Sequence, residues 1–148
     1  MNRLICLLAL TIVLTGSCRS DDEVLLNNPD SAIIVATPPT TESDPFKLES
    51  VSAEGTIVTA VVRYGGGCEE HRFSVYWNGV ATKSIPPQMM VDVHHDDRGD
   101  TCEAYLTDTV RFDAKELLSD NWNLEAAAIL IIRNTSDGET LSVTAKKE

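Results

Sequence analysis

The chain has 148 residues, room for one domain with a tail but not for two ordinary domains. Its 12 Lys and Arg against 23 Asp and Glu give a formal charge of −11, which argues against nucleic acid and anionic lipid as partners, since both are polyanions. A hydrophobic content of 43% argues against wholesale disorder. The chain opens on Arg3, a positive start, followed by Leu4 to Leu14, apolar apart from Thr11. That run is too short for a permanent membrane helix and suits the core of a secretory signal. Residues 1–17 are therefore expected to be removed.

The end of the leader, Leu14-Thr15-Gly16-Ser17-Cys18, resembles a bacterial lipoprotein box, with Thr15 where Leu is more usual. The resemblance implies cleavage before Cys18 and acylation of its sulfur and freed amine. More than one acyl chain is what makes such an anchor stable. Arg19-Ser20-Asp21-Asp22-Glu23 is similar to the acidic export signal of Bacteroidetes surface lipoproteins. The expected location is the outer membrane, surface-exposed or periplasm-facing. An ordinary signal peptide with a chance Cys is the plainer alternative.

Residues 18–45 read as a tether, with Pro29, Pro38, Pro39 and Pro45 among Asp, Asn, Thr and Ser. Ala32 to Ala36 is either an edge strand or a sticky patch within it. Residues 46–148 form the expected domain. Thr56 to Tyr64 is β-branched and ends at Gly65-Gly66-Gly67. Phe73, Val75 and Trp77 alternate with polar residues. Asn78-Gly79 is a hairpin signal, with Val80 to Ile85 expected as the returning strand. Met89, Val91, Val93 and His95 share one face of the next strand, with Asp92 and His94 on the other. Glu103 to Phe112 is extended. Asp113 caps a short helix through Leu118. Ala126 to Arg133 reads as a central strand buried on both faces, and Glu139 to Ala145 as the last strand. About seven strands with one short helix predict an all-β, antiparallel, immunoglobulin-like sandwich.

The runs YGGGCEEHRFSVYW (Tyr64 to Trp77) and HHDDRGDTCEAYL (His94 to Leu106) resemble the C-terminal β-sandwich of NigD-like Bacteroidetes lipoproteins. Those proteins carry an N-terminal barrel domain, for which the residues ahead of Phe46 leave no room. The resemblance implies no catalytic activity.

With Cys6 in the leader and Cys18 acylated, Cys68 and Cys102 remain, and an oxidising compartment favours a disulfide between them. The alternative is zinc held by Cys68, His71, His95 and Cys102, a Cys2His2 set; otherwise no cofactor is implied. Asp96-Asp97-Arg98-Gly99-Asp100 reads as a solvated acidic turn, with Ca²⁺ as the rival. It also contains an Arg-Gly-Asp adhesion tripeptide. Asp30-Ser31-Ala32 and Asp108-Thr109-Val110 resemble Bacteroidetes O-glycosylation sites. No nucleophile elbow, phosphate loop or zincin motif occurs, and Cys68 with His71 makes a thiol and base only if Cys68 is unpaired. The expectation is a non-enzymatic binding or accessory module with an unknown protein or glycan partner and no nucleic acid. The alternatives are an acidic inhibitor or immunity protein against a basic enzyme, and a zinc-binding domain.

Overall fold

The structure, a computed structural model, describes residues 32–118 and 127–146. The leader, Cys18 and the acidic run after it lie outside the described residues.

Eight strands and one helix follow in chain order: β1 (Ile33–Ile34), β2 (Phe46–Glu54), β3 (Ile57–Gly66), β4 (Arg72–Ala81), β5 (Gln88–Asp96), β6 (Ala104–Asp113), α1 (Ala114–Leu118), β7 (Ala128–Asn134) and β8 (Thr140–Ala145). They form a five-stranded sheet, β1-β4-β5-β7-β8, and a three-stranded sheet, β2-β3-β6. The core lies between the sheets. Period-two alternation sends Val58, Ala60, Val62 and Tyr64 inward from β3, meeting Met89, Val91, Val93 and His95 from β5. Val110 and Phe112 of β6 and Leu130 and Ile132 of β7 complete it. Asp113 caps α1 as expected, accepting from the Lys115 amide at 2.8 Å, and Leu117 and Leu118 close one end of the core.

The all-β sandwich with one short helix matches the sequence expectation. Four details differ. The immunoglobulin-like arrangement is not wholly antiparallel: β1 pairs parallel with β4, and β5 with β7. The chain leaves β5, crosses to the other sheet as β6, and returns through α1, a connection long enough for a parallel crossover. β7 buries only one face fully, with Ile129, Ile131 and Arg133 half-exposed on the other.

Asn78-Gly79 does not make a hairpin. β4 runs on to Ala81 across a bulge between Trp77 and Ala81, where Gly79 takes φ 78° and Asn78 Oδ1 accepts from the Val80 amide. The true partner of β4 is β5, because its Met89, Val91 and Val93 bury fully, whereas Val80 and Ile85 of the expected return strand stay 64% and 98% exposed.

The last part of the expected tether belongs to the domain. Ile33–Ile34 is an edge strand on β4, the Ala32 amide bonds to Arg111 O, and the Asp44 amide bonds to His95 O. Residues 35–45 thus cross the end of the sandwich as one wall of the site below.

Candidate functional site

The turn after β3 gathers the reactive residues. Cys68 and Cys102 are joined as a disulfide, with Cα atoms 5.8 Å apart. Between them sits Asp100, its side chain fully buried. Its Oδ2 accepts from the amides of Gly67 (2.7 Å), Cys68 (2.8 Å) and Glu69 (3.0 Å), and from His71 Nε2 (3.1 Å). Its Oδ1 accepts from the Cys102 amide at 2.8 Å. These donors favour the ionised form: the amide of Cys102 first, then those of Glu69 and Cys68, hold the carboxyl well below the usual range. Gly66 is essential to this packing. At φ 149° it leaves room where a Cβ would stand 2.4 Å from His71 Nε2.

His71 reaches inward to His95. Its Nδ1 lies 2.8 Å from His95 Nε2, and His95 Nδ1 lies 3.3 Å from Asp44 O. The rings stack, with Phe73 flat against His95 and Tyr64 tilted beside both. Burial, then the neighbouring His71, pushes His95 down from its ordinary value and keeps it neutral. Asp44 O can only accept, so His95 carries its hydrogen on Nδ1 and accepts at Nε2. His71 Nδ1 then donates to His95 Nε2, and its Nε2 lies against the Asp100 carboxylate at 3.1 Å. Tyr64 is also protonated, pushed up to about 12 by burial and by Asp108, whose Oδ2 accepts its hydroxyl hydrogen at 3.2 Å.

The zinc set does not assemble. The sulfurs are bonded to each other and offer no thiolate. The ring nitrogens are committed to each other, to Asp100 and to the backbone. For the same reason Cys68 is no nucleophile for His71. In the acidic turn Asp96 accepts from the Arg98 amide and Asp97 from the Gly99 amide, and carboxylate oxygens of Asp44, Asp96 and Asp97 lie within 4.8 Å of one another. The acid of Arg98-Gly99-Asp100 is sealed inside, so the tripeptide cannot present it. Thr109 is half-buried within β6, paired with Val61, and Asp30 and Ser31 lie outside the described residues.

A cleft of about 360 Å³ opens on the other face of the five-stranded sheet. Its floor is Tyr76, Asp92 and His94, brought together because Tyr76 and Asp92 are register partners and His94 lies two residues on. Pro38 to Ser43 forms the wall, and Thr135 and Ser136 of the β7–β8 turn the end. Arg133 grips Asp92 with two bonds, Nε to Oδ1 at 2.7 Å and Nη2 to Oδ2 at 2.6 Å. His94 Nε2 donates to Thr41 O at 3.2 Å. Behind the cleft, buried Asn134 ties the turn to β2, donating to Phe46 O at 2.7 Å and accepting from the Ser136 amide and hydroxyl. Alternation had placed Asp92 and His94 on this outer face. The wall was hidden in a segment of tether-like composition, and nothing in the sequence singled out Asn134.

No protein-family model matches the chain, and no curated protein does. Among solved structures the chain is similar to a NigD-like immunity protein of Bacteroides caccae, with TM-score 0.55 and 14% identity over 76% of this chain and 57% of that one. It is also similar to a toxin-related protein of Parabacteroides distasonis, with TM-score 0.60 and 12% identity over 80% of this chain and 61% of that one. The chain therefore spans less than two thirds of either neighbour. At such identities the likeness shows the fold, and the fold is the one the NigD-like resemblance implies.

Proposed function

We propose that the chain is a non-enzymatic binding or accessory module of the bacterial outer membrane, held there through acylated Cys18 and engaging a protein or glycan at the cleft of its five-stranded sheet. The observation that carries this reading is the contrast between the two polar sites. The Cys68–His71–His95–Asp100 cluster is consumed by internal bonds, while the Tyr76–Asp92–His94 cleft is preformed and open. Capture of partners from outer-membrane extracts tests it. Tyr76→Ala should abolish capture, and Tyr105→Ala, an exposed residue of the opposite sheet, should not. Equal capture by both variants would remove the cleft from the proposal.

A second reading, an immunity or inhibitor protein against a basic enzyme, is supported by the net charge of −11 and by the NigD-like immunity protein among the structural neighbours. Such a partner is steered electrostatically, so its association rate should fall as salt rises. Capture that is indifferent to salt rejects this reading and leaves the first intact.

A further inference from the structure

The hydrogen-bond inventory of the cleft selects the chemistry of its occupant. Three hydroxyls on its lining spend their hydrogens inward. Thr135 Oγ1 donates to Val93 O at 2.9 Å, Ser136 Oγ to Asn134 Oδ1 at 2.8 Å, and Ser43 Oγ to Asp44 O at 3.4 Å. Ser43 Oγ also accepts from the His95 amide at 3.0 Å and Ser136 Oγ from the Phe46 amide at 3.5 Å, so what the three hydroxyls have left for a ligand is oxygen lone pairs. His94 spends its Nε2 hydrogen on Thr41 O. Asp92 and the exposed Glu42 add carboxylates, and no Lys or Arg is among the described residues that line the cleft. Among the lining hydroxyls, that of Tyr76 and that of Thr41, whose oxygen lies 3.5 Å from His94 Nε2, have hydrogens to offer, and both can also accept.

An acceptor-lined cleft is a poor fit for an anion, which needs donors. It also suits a polyol badly, since each sugar hydroxyl both gives and takes. It fits a group that is all donors. We propose that the cleft receives the side-chain cation of a partner protein, an arginine guanidinium with its five N–H donors in one plane. Asp92 already shares its charge with Arg133, so Glu42 supplies the uncompensated charge and the hydroxyl oxygens supply geometry. The acidity of the whole chain acts in the same direction, drawing a basic surface toward the face where the cleft opens. This inference rests on the binding-module reading and adds the partner's chemistry: a basic protein rather than a glycan.

The test is a nuclear magnetic resonance titration of the whole ¹⁵N-labelled chain, kept dispersed in neutral detergent. The probes are arginine amide, citrulline amide, whose neutral ureido group replaces the guanidinium, and N-acetylglucosamine. Arginine amide should shift Tyr76, His94 and Thr135 saturably, and citrulline amide should bind about tenfold more weakly, the equivalent of about 1.4 kcal/mol. Glu42→Gln, an exposed change that leaves the fold untouched, should weaken arginine amide by about threefold to tenfold. A cleft that takes citrulline amide or the sugar as well as arginine amide overturns the cationic partner but keeps the cleft as a binding site. Arginine shifts scattered over carboxylates elsewhere overturn it too. No response to any probe, together with capture unaffected by Tyr76→Ala, rejects this inference and the binding-module reading together.

Discussion

His95 couples the interior to pH. Its folded-state value lies below the ordinary 6.5, because burial and His71 oppose a second charge there. A group whose folded value is depressed binds fewer protons when folded, so its contribution is intact above pH 6.5 and is lost as pH falls below it. The groups facing it are His71, Asp44, Asp97 and Tyr64. The melting temperature should therefore drop on going from pH 7 toward pH 5. His95→Phe keeps the aromatic stack on Phe73 and removes the titration. It should lower stability at pH 7 yet flatten that slope, and an unchanged slope would place the acid sensitivity elsewhere. Asp100 acts in a lower window. Its depressed carboxyl contributes fully above its ordinary 3.8, and that contribution fades as pH falls further. Asp100→Asn must turn an amide N–H₂ either toward the amides of Gly67 to Glu69 or toward that of Cys102, so it should cost more than the same change at Asp97, measured as the shift in denaturant midpoint. Asn134→Ala leaves Phe46 O and the Ser136 amide without partners and should cost about 1–3 kcal/mol per group left unsatisfied in the interior.

Among the elements, β5 and β8 were legible because an uninterrupted period of two points straight at the core, and β3 because a β-branched run ends at a Gly-rich turn. β2 was missed for a physical reason. Phe46 and Leu48 face inward, then a bulge between Leu48 and Ser50 shifts the phase so that Val51 and Ala53 face inward instead. A fixed alternation cannot follow that change. At Asn78-Gly79 a true local signal, positive φ at Gly, was realised as a bulge, because Met89 to Val93 bury more apolar surface than the short return strand could. The site divides along the same line. The opposition of His94 and His95 follows from alternation, whereas the closing of Asp100 over amides some thirty positions away is tertiary. Two glycines separate local from tertiary demands. Gly79→Ala meets no atom and should cost only the left-handed backbone penalty, about 1–2 kcal/mol. Gly66→Ala drives a methyl into His71 and Asp100 and should disrupt the whole turn. The disulfide ties that turn to the β5–β6 loop across a sequence separation of 34. On the chain-entropy account it contributes about 3–4 kcal/mol. Cys68→Ala and Cys102→Ala should thus lose similar amounts, and the double variant little more than either, since each removes the same crosslink.

At the scale of the whole molecule, the proposed reading makes anchoring and charge set how the cleft meets a partner. A chain at −11 is repelled by anionic lipid surfaces. Among the described residues no helix is long and apolar enough to cross one. On the proposed reading attachment depends on Cys18. The lipoprotein reading expects Cys18→Ser either to block removal of the leader or to release the protein into the soluble fraction, because the sulfur is both the acyl acceptor and part of the recognition sequence. Two acyl chains anchor a protein stably, while a single chain gives only marginal, reversible binding, so loss of the acylated Cys should shift most of the protein to the soluble fraction. Intact mass of the wild-type protein should show the added acyl groups on Cys18. A Cys18→Ser chain that is cleaved at the same place and still sediments with membranes would overturn the anchor, leaving an ordinary secreted sandwich. Protease treatment of whole cells then separates the two faces. A surface-displayed domain is degraded on intact cells, and a periplasm-facing one only after the outer membrane is opened.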